Sequence, residues 1–138
     1  MICRQLIYTS RVDTLAVGGM LLQILKLAQS NNYKYEISGL LVYRQGRFMQ
    51  LLEGDADNVK TLFHNIYHDS RHSDVEVVLE KDSTQRNFPT WAMGFGDGEG
   101  SQGSLMEQTF YFSLEDIKKI CSALNDDVGN TFLEFLGG

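Results

Sequence analysis

The chain has 138 residues, 43% of them hydrophobic, which predicts one globular domain with an ordinary core rather than a disordered segment. Its formal net charge of −6 argues against nucleic acid or an anionic membrane as a partner, because both need a basic surface. No apolar run approaches the ~20 residues that span a bilayer, and no signal peptide is visible, so we expect a cytoplasmic protein.

Strand and helix patterns alternate along most of the chain. The predicted elements are a strand at 2–9, a helix from Asp13 or Thr14 to about Asn31, strands at 37–43 and 48–52 joined by a turn at 44–47, a helix from about 57 to 69, and strands at 75–79 and 91–95. This order predicts an α+β, ferredoxin-like βαββαββ fold, a mixed five-stranded sheet with two helices on one face. In that topology the first and third strands are central neighbours.

The last third of the chain has a different pattern. A Gly-rich break at 97–103 is followed by helix patterns at 113–124 and 130–136. We expect these C-terminal helices to cover the second face of the sheet, because a bare apolar face needs a partner layer. The predicted division is a core at 1–97 and a helical extension at 98–138.

Two polar side chains interrupt apolar strands. Tyr8 ends the first strand, and Gln50 lies between Phe48 and Leu52 on one strand face, since alternate residues share a face. If both faces look into one core, a phenol and an amide share a buried site. Unpaired buried polar groups cost ~1–3 kcal/mol, so a flat, hydrogen-bonding ligand is a natural partner for them.

The cysteines and histidines give weaker signals. We expect the thiols of Cys3 and Cys121 to be free in a reducing compartment. His64, His68 and His72 would share one stripe if a single helix carried all three, but the residues before His72 are typical of a helix end. We therefore interpret them as surface and helix-end residues and predict no metal site.

Five segments in order resemble one known family. They are Leu6–Ser10, Asn31–Asn32 with Ile37–Leu41, Gly46–Gly54, Asp69–His72 and Phe88–Met93. Together they are similar to a BLUF domain, a flavin-binding blue-light sensor, here of the short single-domain type. The resemblance runs from about residue 2 to residue 96. Ser38 stands where a threonine is commoner, and Ala28 where some members have a serine.

The resemblance implies a flavin between the first two helices. The implied contacts are Ile24, Asn31, Asn32, Gln50, Ile66, Asp69, Arg71 and His72. The isoleucines would form apolar walls, Asn32 would bind the polar ring edge, and the last three would reach a carbonyl, the ribityl chain or phosphate. The alternatives are core packing for the isoleucines, helix capping for Asn32, and a polar helix end on the surface for Asp69, Arg71 and His72. The expected cofactor is FAD, with FMN as the alternative.

The same resemblance implies a light reaction and its output. Tyr8 would give an electron to the excited flavin, with a proton following through Gln50, whose amide is then rearranged by rotation or tautomerisation. Trp91 and Met93, on one face of the fifth strand, would relay the change, although simple core packing also explains them. We expect altered binding to an unidentified protein partner, or altered self-association as a homo-oligomer.

Two other classes of function remain as alternatives. One is a non-photoactive, ferredoxin-like interaction module, and the other is an acylphosphatase-like hydrolase on the same fold. The sequence has no compact phosphate cradle and no Ser-His-Asp set, so we expect a protein that is not an enzyme. Neither Cys3 nor Cys121 has the surroundings expected of a cysteine that bonds to flavin.

Overall fold

The computed structural model describes residues 2–12, 37–70, 72–88, 92–95, 110–124 and 126–137. These residues form six strands and three helices. The strands are β1 (Cys3–Val12), β2 (Ser38–Arg44), β3 (Arg47–Gly54), β4 (His72–Ser83), β5 (Ala92–Phe95) and β6 (Phe110–Ser113). The helices are α1 (Ala56–Tyr67), α2 (Leu114–Leu124) and α3 (Asp127–Phe135). Within these ranges no helix is long and apolar enough to cross a bilayer.

One sheet joins all the described strands in the order β4-β1-β3-β2-β5-β6. The pairs β1–β3, β1–β4 and β2–β3 are antiparallel, whereas β2–β5 and β5–β6 are parallel. The predicted α+β class and the adjacency of the first and third strands are confirmed. The count of five strands is not confirmed, because β6 adds a sixth. The predicted helix at 13–31 lies outside the described residues, so the full ferredoxin-like order stays a prediction.

The hairpin and α1 form where local chemistry places them. Gln45 and Gly46, between β2 and β3, have φ angles of 52° and 79°, the left-handed conformation that a tight hairpin turn requires. Asp55 caps α1 by accepting from the backbone N–H groups of Asp57 and Asn58 at 3.1 and 3.4 Å. The apolar stripe of α1 then packs on the sheet in one buried cluster. That cluster contains Leu6, Tyr8, Ile37, Leu52, Val59, Leu62 and Ile66.

Helices α2 and α3 lie against the opposite face of the sheet. Their buried residues Ile117, Cys121, Val128, Phe132 and Leu136 pack with Ile7, Leu40, Val42, Met49 and Leu51 of β1 to β3. Gly129 allows the two helices to approach closely, since a Cβ there would lie 2.3 Å from the carbonyl oxygen of Cys121. Both thiols are free, as predicted, and burial raises the pKa of Cys121 to about 11.

Glu53, on the α2–α3 face of β3, is a fully buried carboxylate. It accepts from Gln5 Nε2 at 2.7 Å, from the backbone N–H of Asn87 at 2.8 Å and from that of Phe88 at 2.8 Å. Ser38 Oγ donates to the carbonyl of Phe88 at 2.5 Å. The irregular segment 86–88 is therefore held to β3 and β2 by side chains. We call Glu53, Gln5 and these two backbone N–H groups the Glu53 anchor.

Burial raises the pKa of Glu53, and this effect outweighs the hydrogen bonds and the nearby Arg86, which lower it. Because the raised pKa belongs to the folded state, the contribution of Glu53 to stability is complete at low pH. It is lost as the pH rises through that pKa. We expect the free energy of unfolding of the wild type, relative to Glu53→Gln, to fall with rising pH by about 1.4 kcal/mol per unit of pKa shift.

Urea denaturation of both proteins from about pH 4, close to the ordinary carboxyl pKa, up to about pH 8 measures this difference. Glu76→Gln, which changes an exposed carboxylate on β4, is the reference for substitution outside the core. A relative stability that instead rises with pH would mean that the hydrogen bonds outweigh burial.

Candidate functional site

Tyr8 and Gln50 meet at the centre of the sheet, as the sequence predicts. Tyr8 pairs with Gln50 in the antiparallel register of β1 and β3. Both side chains are 0% exposed, and the phenol donates a hydrogen bond to Gln50 Oε1. Tyr8 belongs to the cluster under α1, so the pair lies on the face opposite α2 and α3. Gln50 therefore faces the interior and not solvent.

The amide of Gln50 is only half satisfied. Its oxygen accepts from Tyr8, but its Nε2 is buried and has no hydrogen-bond partner among the described residues. A buried donor without an acceptor costs ~1–3 kcal/mol, and such groups are rare in folded proteins. The described residues therefore offer no hydrogen-bond acceptor to Gln50 Nε2.

Apolar and aromatic groups from α1 and β4 surround the phenol. The ring of Tyr8 lies 5.5 Å from that of Phe63 and 6.4 Å from that of His72, the second in an edge-on arrangement at 83°. Burial, and secondarily the negative charge of Asp69, raise the pKa of Tyr8 far above its ordinary value. The phenol is thus held neutral and protonated, with its proton directed at Gln50.

His72 bridges α1 and the sheet beside this pair. Its Nε2 lies 2.7 Å from the carbonyl oxygen of Ile66, and its Nδ1 lies 2.9 Å from Ser10 Oγ. Because a carbonyl only accepts, Nε2 carries the proton, and a neutral ring accepts from Ser10 at Nδ1. His72 is buried at the start of β4, so the alternative of a surface helix end is wrong for it.

The sheet register connects the pair to the edge strands. The backbone partner of Gln50 in β2 is Leu41, whose partner in β5 is Met93, and Met93 in turn pairs with Tyr111 of β6. These backbone pairs therefore connect Tyr8 to β6, the strand that leads directly into α2. The remaining predicted site residues lie outside the described ranges. They are Ile24, Asn31, Asn32, Arg71 and Trp91.

A family model described as BLUF, sensors of blue light using FAD, matches residues 3–94. The chain belongs to the BLUF family. The predicted resemblance is confirmed, and the members of this family are described as blue-light sensors that use a flavin. The comparisons give no support to the hydrolase or to the ligand-free interaction module.

Curated BLUF relatives are much longer than this chain. The photoactivated adenylate cyclase subunit beta of Euglena longa is 35% identical over 71 residues, which are 51% of this chain and 8% of that protein. The blue light- and temperature-regulated antirepressor BluF of Escherichia coli (strain K12) is 28% identical over 83 residues, 60% of this chain and 21% of that protein. The chain thus spans a small fraction of the length of these relatives.

Solved BLUF structures share the fold over most of this chain. The dark state of BlrB, a BLUF protein, is 26% identical with a TM-score of 0.62, and the match covers 94% of this chain and 83% of BlrB. The ground state of BlsA is 25% identical with a TM-score of 0.62 over 79% of this chain and 74% of BlsA. The likeness to BlrB extends beyond the residues that match the family model.

A flavin would supply the acceptor that the described residues do not offer to Gln50 Nε2. The polar edge of its ring carries carbonyl oxygens, and the unpaired Nε2 of Gln50 needs an acceptor. Its tricyclic ring is flat and largely apolar, which suits a face that presents Tyr8, Ile66 and Leu52. The chemistry of the described residues is therefore compatible with the cofactor that defines the family.

Sequence reasoning missed two contributors to the BLUF site. Ser10 holds His72, and Phe63 packs on Tyr8. Alternation signals Ser10, which follows Tyr8 on the same strand face, and helical spacing signals Phe63 beside Ile66. The three histidines do not share one helical stripe, because α1 ends before His72, as the sequence predicts. His64 and His68 are exposed beside each other at the end of α1, whereas His72 is buried in β4.

The raised pKa of Tyr8 predicts that its phenol stays protonated where a free tyrosine ionises, at about pH 10. In a titration of tyrosinate absorbance, the wild type and Tyr8→Phe should therefore show the same rise while the chain remains folded. In the urea-unfolded chain, where the phenol of residue 8 is exposed, Tyr8→Phe should instead lower the rise, which is the matched control. A lower rise for Tyr8→Phe in the folded range would contradict the assignment.

Proposed function

We propose that this BLUF protein detects blue light through Tyr8 and Gln50 acting on one bound flavin, with FAD preferred over FMN. The observation that carries the proposal is the buried Nε2 of Gln50, unpaired among the described residues, on an amide already bonded to Tyr8. The preference for FAD follows the description of the family. A purely structural role, in which Tyr8 is an interior tyrosine with a local hydrogen-bond partner, would explain the bond but not the unpaired amide nitrogen of Gln50.

The flavin would bind between α1 and the helix that the sequence predicts from Asp13 or Thr14 to about Asn31, which would complete the ferredoxin-like order. Ile66 is the apolar wall on the α1 side, supported by its burial in the cluster with Tyr8. Ile24 is the apolar wall on the opposite side, and Asn31 and Asn32 form hydrogen bonds with the polar edge of the flavin ring. Asp69, Arg71 and His72 serve the ribityl or phosphate side. His72 does so while both of its ring nitrogens remain bonded within the protein.

When bound, the flavin absorbs blue light and accepts an electron. Tyr8 would supply that electron, and its phenolic proton would move along the existing hydrogen bond toward Gln50 Oε1. Both would return to Tyr8, so no net oxidation would remain. The carboxamide of Gln50 is left rotated or tautomerised, with its donor and acceptor ends exchanged toward their neighbours. The lasting change is therefore a hydrogen-bond pattern in the protein.

The output is a change in binding to a separate protein or in self-association, and the chain itself acts as a sensor rather than an enzyme. Met93 and Trp91 relay the change from the core at 1–97 to the extension at 98–138. The backbone row from Gln50 through Leu41 to Met93 supports this direction. The relatives described as a cyclase subunit and an antirepressor support a regulatory output, although each is a longer protein.

An absorption spectrum before and after blue light tests the sensor. We expect a yellow protein whose flavin band shifts slightly to the red, and we expect FAD on mass analysis of the released cofactor. Tyr8→Phe and Gln50→Leu should keep flavin bound and abolish the shift, because each removes one partner of the switch. Tyr67→Phe is the control and should leave the shift intact. A colourless protein that cannot take up flavin, or an unchanged photocycle in Tyr8→Phe, would refute the proposal.

Size-exclusion chromatography and pull-down in darkness and under blue light test the output. We expect the elution volume, or the set of retained proteins, to differ between the two conditions in the wild type. The difference should disappear in Gln50→Leu, since that variant cannot exchange its hydrogen bonds. Coincident dark and light profiles across candidate partners would contradict the output model while leaving the light reaction standing.

A further inference from the structure

The Glu53 anchor continues into the C-terminal helices through one side chain. Asn87 Nδ2 donates to Asp126 Oδ2 at 3.0 Å. Asp126 is the N-cap of α3, and its other carboxylate oxygen accepts from the backbone N–H of Gly129 at 2.8 Å. The same residue, Asn87, therefore contacts the sheet through its backbone and the helix through its side chain.

This chain of contacts begins close to the photoactive pair. Glu53 is three residues after Gln50 on β3, and the odd spacing places the two side chains on opposite faces of the strand. Gln50 belongs with Tyr8 under α1, whereas Glu53 reaches the segment that touches α3. A displacement of β3 at Gln50 thus acts on both faces of the sheet.

The segment that carries Asn87 has no regular backbone structure of its own. Its position depends on the Glu53 carboxylate, on Ser38, and on Arg86, whose Nη1 donates to the carbonyl of Glu53 at 2.8 Å. The two oxygens of one carboxylate meet two successive N–H groups, which fixes the orientation of the segment as well as its distance. The segment therefore follows β3 rather than moving independently of it.

We propose that Asn87 is the residue that couples the sensor to α3, by transmitting movement of β3 through the Glu53 anchor to the N-cap Asp126. This inference rests on the proposed function, because the movement that is transmitted is the rearrangement at Gln50. It assigns to Asn87 a positioning role and no contact with the flavin. The change at Gln50 would thus reach the C-terminal helices through β3 as well as through Met93 on β5.

The test exchanges the side chains of Asn87 and Asp126. Asn87→Asp places two carboxylates against each other and breaks the link, whereas Asn87→Asp combined with Asp126→Asn restores a hydrogen bond with reversed polarity. Asparagine is also a good N-cap, so the exchange preserves the start of α3. Lys81→Ala is the matched control, because it removes the contact of the Lys81 side chain with the adjacent Asp127 at 3.6 Å and keeps the backbone pairing of residue 81 with Gln5.

The flavin-loaded chains of 138 residues are compared by hydrogen exchange of α2 and α3 in darkness and under blue light, with the flavin spectrum recorded on the same samples. We expect a light-induced change in exchange at the first turn of α3 in the wild type and in Lys81→Ala. Asn87→Asp should lose this change while keeping the full red shift, and the exchanged pair should regain it.

Each outcome decides the question. The coupling would be overturned if α3 of Asn87→Asp showed the same light-induced change in hydrogen exchange as the wild type. It would also be overturned if the wild type showed the red shift but no change in hydrogen exchange of α3. In both cases the light reaction itself would stand. Failure of the exchanged pair to recover would also reject the coupling, because the single variant would then have acted through misfolding. Absence of the red shift in the wild type would refute the proposed function and the coupling with it.

Discussion

The hydrogen bond between Tyr8 and Gln50 is the interaction on which the rest of this molecule depends. It exists because β1 and β3 pair in a register that sets these residues directly opposite each other. A slip of one residue would turn one of the two toward α2 and α3, since side chains alternate between the faces of a strand. The apolar residues beside them, Leu6 and Leu52, fix that register by their burial under α1. Ordinary core packing thus positions the photoactive pair.

Strand β3 carries two buried polar side chains with opposite needs. Gln50 has a donor that the described residues leave unpaired, whereas Glu53 has its acceptors filled by an amide and two backbone N–H groups. An unfilled group suits a ligand that arrives from outside the chain, and a filled one suits a fixed structural junction. The same strand therefore presents a binding site on one face and an anchor for the segment 86–88 on the other.

Residue patterns predicted the parts of the site that depend on local spacing. Alternation placed Tyr8 and Gln50 on inward faces, and helical periodicity placed Ile66 on the inner stripe of α1. The burial of His72 was not predictable in this way, because it depends on β4 starting there and pairing with the end of β1. Strand β6 was missed for a similar reason. It has only four residues, Phe110–Ser113, and so short a segment becomes a strand only when β5 is beside it.

The size of the switch constrains how its output can work. Rearranging one hydrogen bond changes a free energy by about 0.5–1.5 kcal/mol, which shifts a two-state equilibrium roughly two- to tenfold. A shift of that size is useful only where the two states are nearly balanced in darkness. The polar contacts of α3 with β2 and β4 are long, at 3.4 Å from Arg44 to the carbonyl of Phe135 and 3.6 Å from Lys81 to Asp127. Contacts of this kind stabilise little, so the position of α3 can respond to a small bias while its apolar face remains packed.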